Sequence, residues 1–204
     1  FRVERDPKID SIREALPGAN CGGCGFAGCD ALAEAIAAGK APVNGCPVGG
    51  AKSAAAIGEI MGVKADTSAK KTAFVKCNGT CDKAKNKFEY YGASDCVYEN
   101  GINGGDGNCV KACNFDALHV VDGVAVVDKD KCVACGACIK ACPKHLIELV
   151  PYDNLIRVAC NSKDMPKATK DNCAAGCMGC KICERNCPSE AVTVTDFLAH
   201  VDYD

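Results

Sequence analysis

"CVACGACIKACP" (Cys132–Pro143) and "CMGCKICERNCP" (Cys177–Pro188) place four cysteines at the same intervals, x2, x2 and x3, and both close in Cys-Pro. Cysteines this close together cannot all pair as ordinary structural disulfides, and the total of 19 cysteines in 204 residues is odd. They read instead as thiolate ligands in a reducing compartment. The spacing also selects the metal. Three thiolates at x2 intervals wrap one iron–sulfur cube, while the fourth, before proline, reaches a neighbouring cube. Zinc takes Cys-x2-Cys pairs as well, but two four-cysteine runs closed by Cys-Pro favour iron and sulfide.

Such runs are those of bacterial ferredoxins, and the sequence around them has the matching texture. From Phe74 onward, short apolar alternating stretches ("ALHVV", "VAVVD", "LIELV", "LIRVA", "AVTVT") separate the cysteine clusters and read as small hairpins. Asp122-Gly123 is a two-residue hairpin turn signal. The region also repeats: "FVKCNGTCDK", Cys96, Cys109-x3-Cys113 and "NFDALHVVDGVAVVDKD" align with "IRVACNSKDM", Cys173, Cys183-x3-Cys187 and "PSEAVTVTDFLAHVDYD". The first copy leads directly into Cys132–Pro143. The second reaches Asp204 where its matching run would begin, so a continuation is expected.

The compact interval between Cys113 and Cys132 favours one site from Cys132, Cys135, Cys138 and Cys113, and another from Cys142 with ligands of the preceding half. The rival pairing exchanges Cys142 and Cys187 between the two full runs. Asn103 and Asp106 occupy the places held by Cys177 and Cys180 in the second copy. Either Cys77, Cys81 and Cys96 supply the missing ligands, or residues are absent near Gly107. Cys160 and Cys173 stand open between ligand and small buried hydrophobe. His119, His145 and His200 lie in or next to strand-like runs and read as packing or surface residues.

The N-terminal region differs. "SIREAL" stops at Pro17, "DALAEAIAA" at Gly39 and "AKSAAAIGEIM" at Gly62, each with a helix-ending signal. Between the first two lies "LPGANCGGCGFAGC". Cys21-x2-Cys24-x4-Cys29, completed by Cys46 in "NGCPVGG", gives four thiolates within one small helical unit. Gly22, Gly23, Gly25 and Gly28 let the backbone pass close to a bulky group and offer N–H donors to its sulfurs. The expected architecture is α+β: a helical four-cysteine [4Fe-4S] domain over 1–65, a Lys-rich linker over 66–73, and ferredoxin-like cluster modules over 74–151 and 152–204.

"LPGANCGGCGFAGCDALAEAIAAGKAPVNGCPVGG" resembles the iron–sulfur domain of the B subunit of the Rnf complex, the membrane-bound ferredoxin:NAD oxidoreductase. The region from Phe74 onward is similar to the extended, multi-cluster form of that subunit in anaerobes. The resemblance implies at least three [4Fe-4S] clusters, with Cys21, Cys24, Cys29, Cys46, Cys77, Cys81, Cys96, Cys109, Cys113, Cys132, Cys135, Cys138, Cys142, Cys173, Cys177, Cys180, Cys183 and Cys187 as candidate ligands. It implies reduced ferredoxin as electron donor and membrane and peripheral Rnf subunits as partners. Lysines in "SAKK" (Ser68–Lys71) and "CDKAKNK" (Cys81–Lys87) are candidates for attracting an acidic ferredoxin. Flavin and NAD would belong to the partner subunits, and coupled Na+ or H+ movement to the complex. The resemblance further implies a place at the cytoplasmic face of the bacterial membrane, an N-terminal membrane helix before "FRVERDPKID", and further cysteine runs after "LAHVDYD".

Composition agrees with a carrier role. Lys and Arg number 24 against 26 Asp and Glu, for a net charge of −2 with no long run of either sign, so nucleic acid is not the expected partner. No Gly-x-Gly-x-x-Gly follows a strand, and no nucleophile or general base stands out. The competing class is an electron-transfer subunit of a soluble bifurcating or corrinoid-linked oxidoreductase; a structural zinc protein is the third.

Overall fold

A computed structural model describes residues 6–65, 70–86, 88–92, 96 and 107–203. Asn103 and Asp106 of the first copy, and Ser68 and Lys87 of the lysine-rich stretches, lie outside the described residues. The chain divides into two compact units: one runs to Lys71 and includes Val133–Gly136, and the other comprises Thr72–Cys132 and residues from Ala137 on.

The first unit is helical. Helix α1 (Pro7–Ala15) starts with Pro at its first position, and the Asp6 carboxylate accepts the Lys8 N–H at 2.9 Å. Helix α2 (Cys29–Ala37) turns Cys29, Leu32, Ala33 and Ile36 inward at the spacing of one helical face. Helix α3 (Gly50–Met61) ends at Gly62 in the left-handed region (φ 68). Past it, the Val63 N–H returns to the Gly58 carbonyl at 3.0 Å and satisfies a terminal acceptor. Ile12, Leu16, Leu32, Ile36 and Ile57 form the core together with Cys29 and Cys46. The Ser53 hydroxyl of α3 donates to the Ala15 carbonyl at 2.7 Å and so satisfies an acceptor left open by the end of α1.

The second unit carries strand β1 (Lys71–Val75), helix α4 (Asn108–Lys111), strands β2 (Leu118–Val121) and β3 (Val124–Val127), helix α5 (Ala137–Ala141), strand β4 (Ile147–Pro151), helices α6 (Pro166–Asn172) and α7 (Ile182–Arg185), and strands β5 (Val192–Thr195) and β6 (Leu198–Val201). They make three two-stranded sheets: β1 with β4, β2 with β3, and β5 with β6.

The internal repeat is preserved in backbone conformation. Both hairpins are antiparallel with matching register, Leu118 opposite Val127 and Val192 opposite Val201. Left-handed residues recur at one constant interval: Gly107 and Lys181 (φ 74 and 60), Asp116 and Glu190 (51 and 54), Asp122 and Asp196 (48 and 49), Gly123 and Phe197 (79 and 60). Two consecutive positive φ angles define the tight turn that suits hairpin twist. Asp-Gly supplies it without strain, whereas Phe197 adopts it against its own steric preference.

Two expectations change. Lys71–Ala73, placed in the linker, belong to β1, where Thr72 and Ala73 are buried. "LIRVA" (Leu155–Ala159) is no strand, and "LIELV" forms no hairpin with it; β4 pairs with β1 instead. The reason lies in Arg157. Its guanidinium donates to the carbonyls of Asn154 (3.1 Å) and Pro151 (3.2 Å) and sits over the Phe74 ring at 5.4 Å. The chain after β4 is thereby folded back as a loop, with Leu155 and Ile156 exposed. Among the described residues, no helix is long and apolar enough to cross a membrane.

Candidate iron–sulfur sites

In the first unit, Cys21, Cys24, Cys29 and Cys46 line one small cavity with Asn20 and Pro47. Cys29 opens α2, and its N–H donates to the Asn20 side-chain oxygen at 2.8 Å. Asn20 reaches it from a left-handed conformation (φ 46), which Asn tolerates better than most residues. A side chain at Gly28 would put its Cβ 3.1 Å from that oxygen, so glycine keeps the cap open. The Gly49 N–H donates to the Cys46 sulfur at 3.3 Å. Burial pushes the Cys46 thiol up, and the neighbouring Cys29 and Cys24 sulfurs add to the effect. Thiols held protonated in this way give up their protons when a metal centre binds.

In the second unit several cysteines belong to the core. Cys109, Cys132 and Cys138 are buried with Ala73, Val75, Leu118, Val124 and Ile147, and Cys77, Cys113 and Cys142 pack against them. Backbone N–H groups point at the sulfurs: Ala73 at Cys132 (3.3 Å), Ala117 at Cys113 (3.4 Å) and Leu146 at Cys142 (3.5 Å). Such bonds draw charge from a thiolate and tune the potential of the centre it holds. Cys135 is half-buried. Burial pushes the Cys109 thiol up, with Cys142 and then Cys96 close enough to contribute.

Cys77, Cys96, Cys109 and Cys142 all line one cavity of about 430 Å³. Cys160 and Cys173 line a second, of about 250 Å³, which Cys77 also borders. Cys81 is exposed and lines neither; its N–H donates to the Asp122 carbonyl at 2.9 Å. In the third run, Cys177 and Cys187 pack on Val192, Val194 and Ala199 of the β5–β6 hairpin, while Cys180 and Cys183 are exposed. A hydrogen bond with the Ser189 hydroxyl lowers the Cys187 thiol.

Among the described residues, no three His, Cys, Asp or Glu side chains gather about one point as a single ion requires. The thiols line cavities instead, and their soft donor set suits an iron–sulfur cluster. His119 is exposed, 3.7 Å from Asp116, and His200 is exposed on β6. Asn20 and the N–H donors of Gly49 and Ala73 were not among the sequence candidates. Asn in "PGAN", just before the first cysteine, was the available signal for the first of these.

Residues 16–48 match the FeS family model for an Fe-S cluster, and residues 125–148 match the 4Fe-4S binding domain (Fer4). The chain is 42% identical, over 99% of its length and 81% of the relative's, to the B subunit of the ion-translocating oxidoreductase complex of Methanosarcina acetivorans. It belongs to the family of Rnf B subunits. Two other members are similar along the whole chain. The B subunit of the Na(+)-translocating ferredoxin:NAD(+) oxidoreductase complex of Acetobacterium woodii is 45% identical over 100% of this chain, which spans 65% of that protein's length. The proton-translocating counterpart of Clostridium ljungdahlii is 39% identical over 99% of this chain and 75% of its own. As an Rnf B subunit, the chain is an iron–sulfur electron-transfer protein with several [4Fe-4S] clusters.

Ala134 and Gly179 (φ 54 and 59), then Gly136 and Lys181 (75 and 60), turn the two cysteine runs at equivalent places. A Cβ at Gly179 would lie 2.6 Å from the Phe197 Cα. Gly179→Ala is therefore expected to destabilise the iron-loaded chain by about 1–3 kcal/mol, the usual range for overpacking. Anaerobic urea unfolding measures this, and an unchanged midpoint would contradict the close packing of run and hairpin.

Proposed function

We propose that this Rnf B subunit receives electrons from reduced ferredoxin and passes them one at a time to membrane partners of its complex. Flavin, NAD+ reduction and Na+ or H+ translocation belong to those partners. Its place is the cytoplasmic face of the bacterial membrane, with contact through an N-terminal helix preceding "FRVERDPKID". Within the chain, Cys21, Cys24, Cys29 and Cys46 hold one cluster, Cys113, Cys132, Cys135 and Cys138 a second, and Cys177, Cys180 and Cys183 belong to a third. The clusters, when bound, supply one-electron acceptors; the protein fixes their position and potential.

One observation carries the reading: thiols set in apolar cores with backbone N–H groups aimed at their sulfurs. The apolar cores exclude water, and the N–H donors offset the added negative charge of a reduced centre that such burial would otherwise penalise. The exposed lysines Lys83 and Lys85 give an acidic ferredoxin local attraction that the net charge of −2 does not. Docking of this kind is weak, fast and screened by salt.

The test is anaerobic stopped-flow mixing of the iron-loaded chain with reduced ferredoxin at rising salt, with and without NAD+. Bleaching of the iron–sulfur absorbance is expected whether or not NAD+ is present, with a rate that falls as salt rises and no NADH formed. NADH from the isolated chain would overturn the carrier assignment, and no bleaching at any salt would remove ferredoxin as donor.

A further inference from the structure

Helices α4 and α5 are also related to each other by a shorter internal repeat. Gly107 and Gly136 (φ 74 and 75) precede them, and Asp116 and His145 (φ 51 and 50) follow them. Cys113 and Cys142 each take an N–H four residues on, and β2 and β4 begin at equivalent points, Leu118 and Ile147. Each half of such a pair lends its last cysteine to the site of the other. Cys113 is thereby directed to the site of Cys132, Cys135 and Cys138. Cys142 then requires a mate site in the α4 half, yet that half has Asn103 and Asp106 where a ferredoxin run would have thiols.

We infer that Cys77, Cys96, Cys109 and Cys142 hold a further [4Fe-4S] cluster, with two ligands recruited from outside the ferredoxin run. The four come from separate places in the chain: Cys77 just after β1, Cys96, Cys109 in helix α4, and Cys142 just after α5. They share one cavity of about 430 Å³, within the roughly 300–1,000 Å³ in which proteins enclose small ligands and cofactors. Val75, Val124, Leu146 and Ile147 supply apolar walls, the low-polarity setting that shapes a cluster's potential.

Cys77 has a competing cavity, but its neighbour there is less complete. That cavity offers only Cys160 and Cys173 beside Cys77, whereas a cube takes four thiolates. The pairing of Lys83–Lys85 with Asn172–Ala174 accounts for that proximity without a ligand. Lys85 donates to the Asn172 carbonyl at 2.8 Å and Ala174 to the Lys83 carbonyl at 2.7 Å, which brings the Cys173 sulfur beside Gly79. The assignment rests on the reading of the chain as an iron–sulfur carrier and adds a site to it.

The experiment uses the full chain loaded anaerobically with iron and sulfide. Cys96→Ala and Cys142→Ala should each lower iron and acid-labile sulfide by about four per chain, and the double variant by no more than either single one. Cys160→Ala with Cys173→Ala should leave both contents unchanged. Alkylation followed by mass spectrometry should find Cys77, Cys96, Cys109 and Cys142 protected in the loaded chain. In Cys96→Ala the other three should become reactive while Cys21, Cys24, Cys29 and Cys46 stay protected, which separates loss of one site from general unfolding. Full iron content in Cys96→Ala and Cys142→Ala, or an equal loss in the Cys160 and Cys173 variant, overturns the inference. Zinc in place of iron in the unaltered chain overturns the carrier reading itself.

Discussion

Cys113→Ala is expected to cost the chain one whole cluster, about four iron and four sulfide, while Cys187→Ala leaves that cluster in place. Cys113 packs on the same core that buries Cys132 and Cys138, and its sulfur takes the Ala117 N–H at 3.4 Å. Cys187 packs instead on Val192, Val194 and Ala199 of the β5–β6 hairpin. Cys113 thus shares its core with Cys132 and Cys138, whereas Cys187 belongs to a separate apolar group. Paramagnetic resonance of the reduced single variants, beside their iron content, makes the comparison. A mild effect of Cys113→Ala with loss in Cys187→Ala would establish exchange between the two full runs instead.

Removing the iron is expected to abolish cooperative unfolding of both units. Among the described residues, the large buried aliphatics of the first unit are Ile12, Leu16, Leu32, Ile36 and Ile57, with Cys29 and Cys46 between them. The chain has no tryptophan and 5% aromatic residues, and domains of this size are marginal on burial alone. Structural metal binding in small domains is worth about 10–16 kcal/mol, as much as the roughly 5–15 kcal/mol that separates a folded domain from its unfolded chain. If the clusters act on that scale, their loss outweighs what the remaining core retains. Circular dichroism on heating, before and after anaerobic chelation, measures this. A stripped chain melting as sharply and within a few degrees of the loaded one would show that side-chain packing alone suffices.

Local spacing was legible in the sequence; long-range assembly was not. Cys21, Cys24 and Cys29 are joined by short glycine-bearing links, and Cys46 returns after one helix, so their meeting in one cavity follows from the chain itself. Asp122-Gly123 announced its hairpin because both residues accept positive φ. Asp196-Phe197 makes the same turn, but phenylalanine gives no such signal; only the repeat pointed to it. Strand β1 was hidden by Lys70 and Lys71 at its start, although Thr72 and Ala73 just after them are buried. "LIRVA" alternates like a strand, yet Arg157 binds the carbonyls behind it and β1 occupies the edge of β4. Cys77 and Cys96 stood open as replacements because no fixed interval ties them to Cys109 and Cys142. Their shared cavity is a product of the fold, and Cys81, which had equal claim from the sequence, is left outside it.

The most direct test of the central claim is the metal and sulfide content of the full chain isolated without oxygen. Iron and acid-labile sulfide in equal amounts, at about twelve or more of each per chain for three or more cubes, with Mössbauer spectra of [4Fe-4S] type, is the expected result. Zinc bound to the cysteines, or iron without sulfide, would contradict it.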